Sequence, residues 1–153
     1  MRIGQGWDVH RMAPGRALMI GGIQIPSEKG EVGHSDGDVL LHAIIDALLG
    51  VDANGDIGSH FPPSDDRWKD VDSKELVRLT MKDFKHKIIN LDSTIILQRP
   101  KLREHIDSIR ESLASLLGLD IKDVSVKAKT AEHLYGELGS GDAIEASVVI
   151  LVK

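Results

Sequence analysis

Four stretches of this sequence gather residue types that can hold a metal ion or a phosphate group. The first is Asp8-Val9-His10. Residues two apart on a strand point to one face with Cα atoms about 6.5–7 Å apart, so this carboxylate and imidazole can converge on one ion. The alternative is an ordinary pair on a strand surface. The second stretch is His34-Ser35-Asp36-Gly37-Asp38, followed by His42 and Asp46. On a helix, Asp38, His42 and Asp46 recur every fourth residue and share a face. That stripe suits a ligand histidine whose other ring nitrogen is held by a carboxylate, with Asp46 as the candidate. It equally suits a solvated helix face. Asp8, His10 and His42 together would give zinc three N/O ligands and an open fourth position, the pattern of a catalytic site. Spacing alone leaves that pairing open.

The third stretch is Asp56-Ile57-Gly58 with His60-Phe61-Pro62-Pro63-Ser64-Asp65. It reads either as a Pro-stiffened surface loop or as a polyol-binding rim, with Asp56 accepting from hydroxyls and Gly58 allowing close backbone approach. The fourth is Lys127-Ala128-Lys129-Thr130-Ala131-Glu132. A strand end with two Lys, a Thr hydroxyl, free N–H groups and a Glu can hold a diphosphate and a magnesium ion. The same residues also suit a charged strand-to-helix junction capped by Thr130. Gly4-x-Gly6 fails as a dinucleotide fingerprint, because Val9 stands where a third glycine belongs. No Walker motif occurs.

Positioning these residues falls to a short list of elements. Arg2 to about Met12 reads as a strand, Leu18–Ile25 as a strand pair broken at Gly21-Gly22, and 27–37 as a polar loop. Asp38 to Leu49 reads as a helix, with Asp36 or Asp38 near its start and Gly50 just past its end. The span 51–72 is a long loop of the functional kind, and Asp72-Ser73-Lys74-Glu75 opens a helix to about Lys85. A strand over Ile88–Leu97 follows, then a helix from Pro100 to Leu117 with Gly118 at its end. Val124, Val126 and Ala128 alternate with polar residues as in a half-buried strand. Ser147–Val152 does not alternate, which predicts cover on both faces, and a second subunit could supply one of them. The expected fold class is α+β, an α/β sandwich in which helices pack on one face of a mixed β-sheet, as one domain over 1–153.

Composition narrows the function classes. Cysteine is absent, so disulfides and thiolate metal sites are excluded. The net charge of −5, from 24 acidic and 19 basic residues, speaks against wrapping a nucleic-acid backbone. Two Phe, two Trp and one Tyr are too few for a base-stacking platform. No apolar run approaches the ~20 residues that span a bilayer. Met1-Arg2-Ile3-Gly4 leads straight into patterned sequence rather than a targeting leader, so a cytoplasmic location is expected.

Taken together and in order, the four stretches resemble the 2-C-methyl-D-erythritol 2,4-cyclodiphosphate synthase family. The residues that carry the resemblance are Gly6-x-Asp8-x-His10, His34 to Asp38 with His42 and Asp46, Asp56-Ile57-Gly58-x-x-Phe61-Pro62, Asp72-Ser73, Pro100-Lys101-Leu102 and Lys127-Ala128-x-Thr130-x-Glu132. The resemblance implies a metal-dependent lyase that turns 4-diphosphocytidyl-2-C-methyl-D-erythritol 2-phosphate into the cyclic diphosphate and CMP. It implies zinc on Asp8, His10 and His42, and Mg²⁺ or Mn²⁺ on Glu132. His34 and Thr130 would steady developing charge, and Ser35 would donate to phosphate. Asp56, Ile57, Gly58 and Phe61, continued by Pro62, Pro63, Ser64 and Asp65, would surround the methylerythritol. Leu97, Gln98, Arg99, Pro100, Lys101, Leu102 and Arg103, with Lys129, Thr130, Ala131 and Glu132, would form the cytidine and phosphate cradle. A homotrimer with sites between subunits is also implied. The sequence departs from the family pattern at Pro63, commonly Asp, and at Lys129, commonly Thr. The stretch Tyr135–Asp142 lacks the Arg on which isoprenoid-diphosphate binding along a trimer axis would rest.

Overall fold

The computed structural model describes all 153 residues. Its strands are β1 (Arg2–Pro14), β2 (Leu18–Ile20), β3 (Ile23–Ile25), β4 (Lys29–Glu31), β5 (Ile88–Ile96), β6 (Val124–Lys129) and β7 (Ala143–Val152). Its helices are α1 (Val39–Val51), α2 (Ile57–His60), α3 (Ser73–Asp83), α4 (Ile106–Leu117) and α5 (Glu137–Ser140). Five strands form a mixed sheet in the order β4-β1-β7-β5-β6, and β2 and β3 make a separate hairpin. Only β5 and β6 are parallel, joined through α4. The expected α+β class holds, with the helices on one face.

β1 shows why. Its even positions, Gly4, Gly6, Asp8, His10 and Met12, face the helices, while Ile3, Trp7 and Val9 point outward and stay exposed. α1 is apolar almost all round and correspondingly buried from Val39 to Leu49, apart from Asp46. It lies between β1 and β7 on one side and α3 on the other. Its start is fixed by Asp38, whose carboxylate accepts from Leu41 N–H at 3.0 Å and from Gly21 and Gly22 N–H at 3.0 and 2.7 Å. One side chain thus caps the helix and pins the β2–β3 turn, where both glycines have the positive φ that other residues resist.

Several boundaries move. Gly50 lies inside α1 rather than past it. The 27–37 loop contains β4, which places Glu31 in the interior. The 51–72 loop holds α2 and a 3-10 turn at Asp66–Trp68. Pro100 does not open a helix: α4 begins at Ile106, after a 3-10 turn at Arg103–His105. Gly118 ends α4 in the left-handed conformation, as expected. β7 alternates after all, with Val149 45% exposed, so its outer face has no cover within the chain. No helix is long and apolar enough to cross a membrane.

Candidate active site

The site is built where α1 meets β1. A Cβ on Gly4 would lie 1.9 Å from the Ala47 carbonyl oxygen, and one on Gly6 would lie 1.8 Å from that of Ala43. The helix therefore rests directly on strand backbone, which only glycine allows. The next residues along that face of β1 are Asp8 and His10, and His42 precedes Ala43 on the helix. Asp8 Oδ2 lies 2.8 Å from His10 Nε2 and 3.1 Å from His42 Nδ1, and the two imidazole nitrogens are 3.3 Å apart. This is the only trio of His, Asp or Glu side chains in the chain that converges this closely.

Burial works against the Asp8 carboxylate, but the adjoining imidazoles of His10 and His42 outweigh it and hold the group well below the ordinary carboxylate range. The trio suits a divalent ion. Tetrahedral zinc with bonds of about 2.0–2.1 Å needs donor atoms about 3.3 Å apart, close to the spacings found here. His10 Nδ1 is buried without a hydrogen-bond partner.

A cavity of about 270 Å³ opens beside the trio, lined by Asp8, His10, His34, Ser35, His42, Ile57, Gly58, Phe61, Pro63, Trp68 and Leu76. Its loop wall is well fixed. Asp56 caps α2 by accepting from Ser59 N–H at 2.8 Å and from the Ser59 hydroxyl at 2.6 Å, which keeps its carboxyl low. Phe61 and Trp68 meet edge to face at 5.1 Å, and the Arg67 guanidinium sits 5.1 Å over Trp68 while pairing with Asp65. Asp56, Pro62, Ser64 and Asp65 belong to this loop but do not line the cavity.

The remaining expected residues form a second group. Leu97 N–H donates to Lys129 O at 2.9 Å, His133 N–H donates to Gln98 Oε1 at 3.3 Å, and the Thr130 hydroxyl donates to Glu132 Oε1 at 2.9 Å. Leu97, Leu102 and Ala131 are buried, whereas Arg99, Lys101, Arg103, Lys129, Thr130 and Glu132 are exposed and Pro100 is half-buried. Strand register puts this group at the same end of the sheet as His10 but across β7 from it. None of these residues lines the cavity.

One expectation fails. Asp46 does not hold the other ring nitrogen of His42. Its Oδ1 accepts from Ile57 N–H at 2.8 Å and so anchors α2, while burial raises its carboxyl above the usual range. Asp38, on the expected polar stripe, turns to the hairpin. His42 Nε2 instead faces the hydroxyls of Ser35 at 2.9 Å and Ser73 at 3.0 Å. Ser73, Trp68 and Leu76 were not expected at the site. The sequence signals for Ser73 are its part in the Asp72-Ser73 motif and its place just after the Asp72 cap, which leaves its own hydroxyl unused by the helix end.

Fold and site together define a class: an α+β protein with an Asp-His-His trio that could hold a metal ion, beside a small cleft. Residues 1–153 match the YgbB family, and the chain belongs to that family. It is 54% identical over 154 residues to the 2-C-methyl-D-erythritol 2,4-cyclodiphosphate synthase of Burkholderia thailandensis, covering 99% of this chain and 94% of that protein. It is 49% identical over 156 residues to the synthase of Fusobacterium nucleatum subsp. nucleatum, covering 100% and 97%. A solved structure of a synthase with this name, in its CDP-bound form, superposes with a TM-score of 0.91 at 36% identity, covering 99% of this chain and all of that one.

Proposed function

We propose that this protein converts 4-diphosphocytidyl-2-C-methyl-D-erythritol 2-phosphate to 2-C-methyl-D-erythritol 2,4-cyclodiphosphate and CMP, in non-mevalonate isoprenoid precursor synthesis. The observation that carries the reading is the convergence of Asp8, His10 and His42 on a cavity, in a chain whose full-length relatives bear the synthase name. In the reaction, an oxygen of the 2-phosphate bonds to the substrate's own β-phosphorus. The bond from that phosphorus to the oxygen bridging the α-phosphorus breaks, and the bridging oxygen leaves with CMP. Attacker and target are both anionic, and the protein is itself net negative, so charge must be neutralised. Bound zinc at Asp8, His10 and His42, and Mg²⁺ or Mn²⁺ at Glu132, would supply that neutralisation and help align the in-line attack.

The chain's own residues supply the rest by positioning. The cavity suits the methylerythritol end, with Ile57, Gly58 and Phe61 as its wall, Ser35 donating to phosphate and His34 offering a donor to developing charge. At about 270 Å³ it is below the usual range for a drug-sized ligand, so the cytidine needs a second surface. Residues 97–103 and 129–132, with Thr130 and Glu132 at the phosphates, supply that surface in this reading. Since they do not meet the cavity within one chain, they serve the cleft of a neighbouring subunit. The uncovered sheet face bearing Ile3, Trp7, Val9 and Val149 supports the assembly, a homotrimer in this proposal. A cytoplasmic setting belongs to the same reading.

The test is incubation with the cytidylyl substrate, with and without chelator, followed by phosphorus NMR. The expected result is CMP and a cyclic diphosphate in equal amounts, lost with chelator and in His42→Ala. Monophosphates without a cyclic species would show a hydrolase and overturn the reading.

A further inference from the structure

The contacts behind His42 fix more than its orientation. Ser73, fully buried at the first position of α3, donates its hydroxyl proton to Asp36 Oδ1 at 2.5 Å, and its backbone N–H reaches Asp36 Oδ2 at 3.1 Å. Asp36 is itself held, with Oδ1 accepting from Asp38 N–H at 3.1 Å and its N–H donating to Val71 O at 3.1 Å. A serine hydroxyl has one proton, and an ionised carboxylate can only accept. With that proton committed to Asp36, Ser73 Oγ presents a lone pair to His42 Nε2, 3.0 Å away.

We infer that Asp36 and Ser73 are positioning residues that hold His42 in its Nε2–H tautomer, leaving the Nδ1 lone pair directed at Asp8 and His10. The inference rests on the proposed metal site and deepens it. A neutral imidazole carries one N–H. Asp8 Oδ2 faces Nδ1 at 3.1 Å but is already engaged by His10 Nε2 at 2.8 Å, whereas Ser73 Oγ at Nε2 can only accept. The proton therefore belongs at Nε2, and Nδ1 is the nitrogen free to bind a metal. A second consequence concerns Ser35. Its Oγ lies 2.9 Å from His42 Nε2 and accepts from Gly37 N–H at 3.2 Å. Facing an N–H rather than a lone pair, Ser35 accepts there too, and its own proton can turn between Ser73 Oγ, 3.4 Å away, and a phosphate oxygen in the cavity that it lines. The pair would thus set both the ligand nitrogen of His42 and the donor direction of Ser35 from 37 residues apart in sequence.

The experiment is long-range ¹H–¹⁵N NMR of the histidine rings in metal-free full-length protein, with zinc affinity measured by chelator competition for wild type, Ser73→Ala and Ser73→Thr. Wild type should show His42 as the Nε2–H tautomer before any metal is added. Ser73→Ala should mix the tautomers and weaken zinc binding by about 10- to 100-fold, and Ser73→Thr, which keeps the hydroxyl, should recover most of it. A wild-type His42 protonated at Nδ1 overturns the inference, as does Ser73→Ala with unchanged tautomer and zinc affinity. The wild-type spectrum decides the matter even if a variant fails to fold. If wild type bound no zinc, the metal reading would fail while the tautomer was still read directly.

Discussion

Gly6→Ala is the change that reaches the site most directly without touching a ligand. The added methyl carbon would sit 1.8 Å from the Ala43 carbonyl oxygen and 2.7 Å from the Ala47 backbone nitrogen. Neither atom belongs to a flexible side chain, so relief requires the strand and helix to part. Reaching even 3.0 Å from that oxygen takes about 1.2 Å of separation, several times the ±0.2 Å that metal–ligand distances tolerate. Asp8 and His10 ride on the strand and His42 on the helix, so the trio parts with them. Overpacking costs about 1–3 kcal/mol, and a backbone obstacle puts this case at the upper end even after the ~0.4–1 kcal/mol that Ala gains over Gly in the unfolded chain. The expected result is a loss of about 2–3 kcal/mol in urea unfolding, measured with metal absent. Zinc affinity by chelator competition should fall on the order of 100-fold, the upper range for losing a ligand's support. Gly50→Ala is the control. Its nearest neighbour outside α1 is Gln5 O at 3.6 Å, and it sits within the helix, so it should be neutral or stabilising by up to ~1 kcal/mol. If Gly6→Ala matches Gly50→Ala in both stability and zinc affinity, the close-approach argument is wrong.

Two further changes probe Glu31, which sequence left unassigned, and Asp46, which it assigned to His42. Burial, reinforced by repulsion from Asp38, pushes the Glu31 carboxyl up to about 9, and its Oε1 has no partner. A raised folded value gives stability that is complete below the ordinary carboxylate range and is lost as pH climbs through 9. The stability of Glu31→Gln relative to wild type should therefore grow between pH 5.5 and 8.5, by at most ~1.4 kcal/mol per unit, and a flat difference in urea unfolding would contradict that. Asp46→Ala removes the acceptor of Ile57 N–H, with an expected cost of about 1–2 kcal/mol. It should raise KM while leaving zinc affinity unchanged, whereas a loss of zinc affinity would return Asp46 to the role of supporting His42.

The elements that carry the site were legible because each is written in a short period. Gly4, Gly6, Asp8 and His10 alternate on one strand face, and the apolar run after Asp38 is long enough only for a buried helix. Sequence gave no reason for the two glycines beyond excluding a nucleotide loop, because their partners, the Ala43 and Ala47 backbone atoms, are set by tertiary packing. The partner of His42 was misread for a related reason. Helix spacing nominates Asp46, but Ser35 and Ser73 approach from a loop and another helix, at distances that no period encodes. Glu31 was hidden likewise, since a three-residue edge strand leaves almost no pattern. The residues proposed for the cytidine, 97–103 and 129–132, stand out as motifs, yet their separation from the cavity follows only from strand order.

Anomalous scattering at the zinc edge, from crystals grown with zinc, tests the centre of this account most directly. One strong peak is expected, bonded at about 2.0–2.2 Å to Asp8 Oδ2, His10 Nε2 and His42 Nδ1 with a fourth position free of protein ligands. A peak bonded to His42 through Nε2, or to side chains elsewhere with these three left bare, would contradict it.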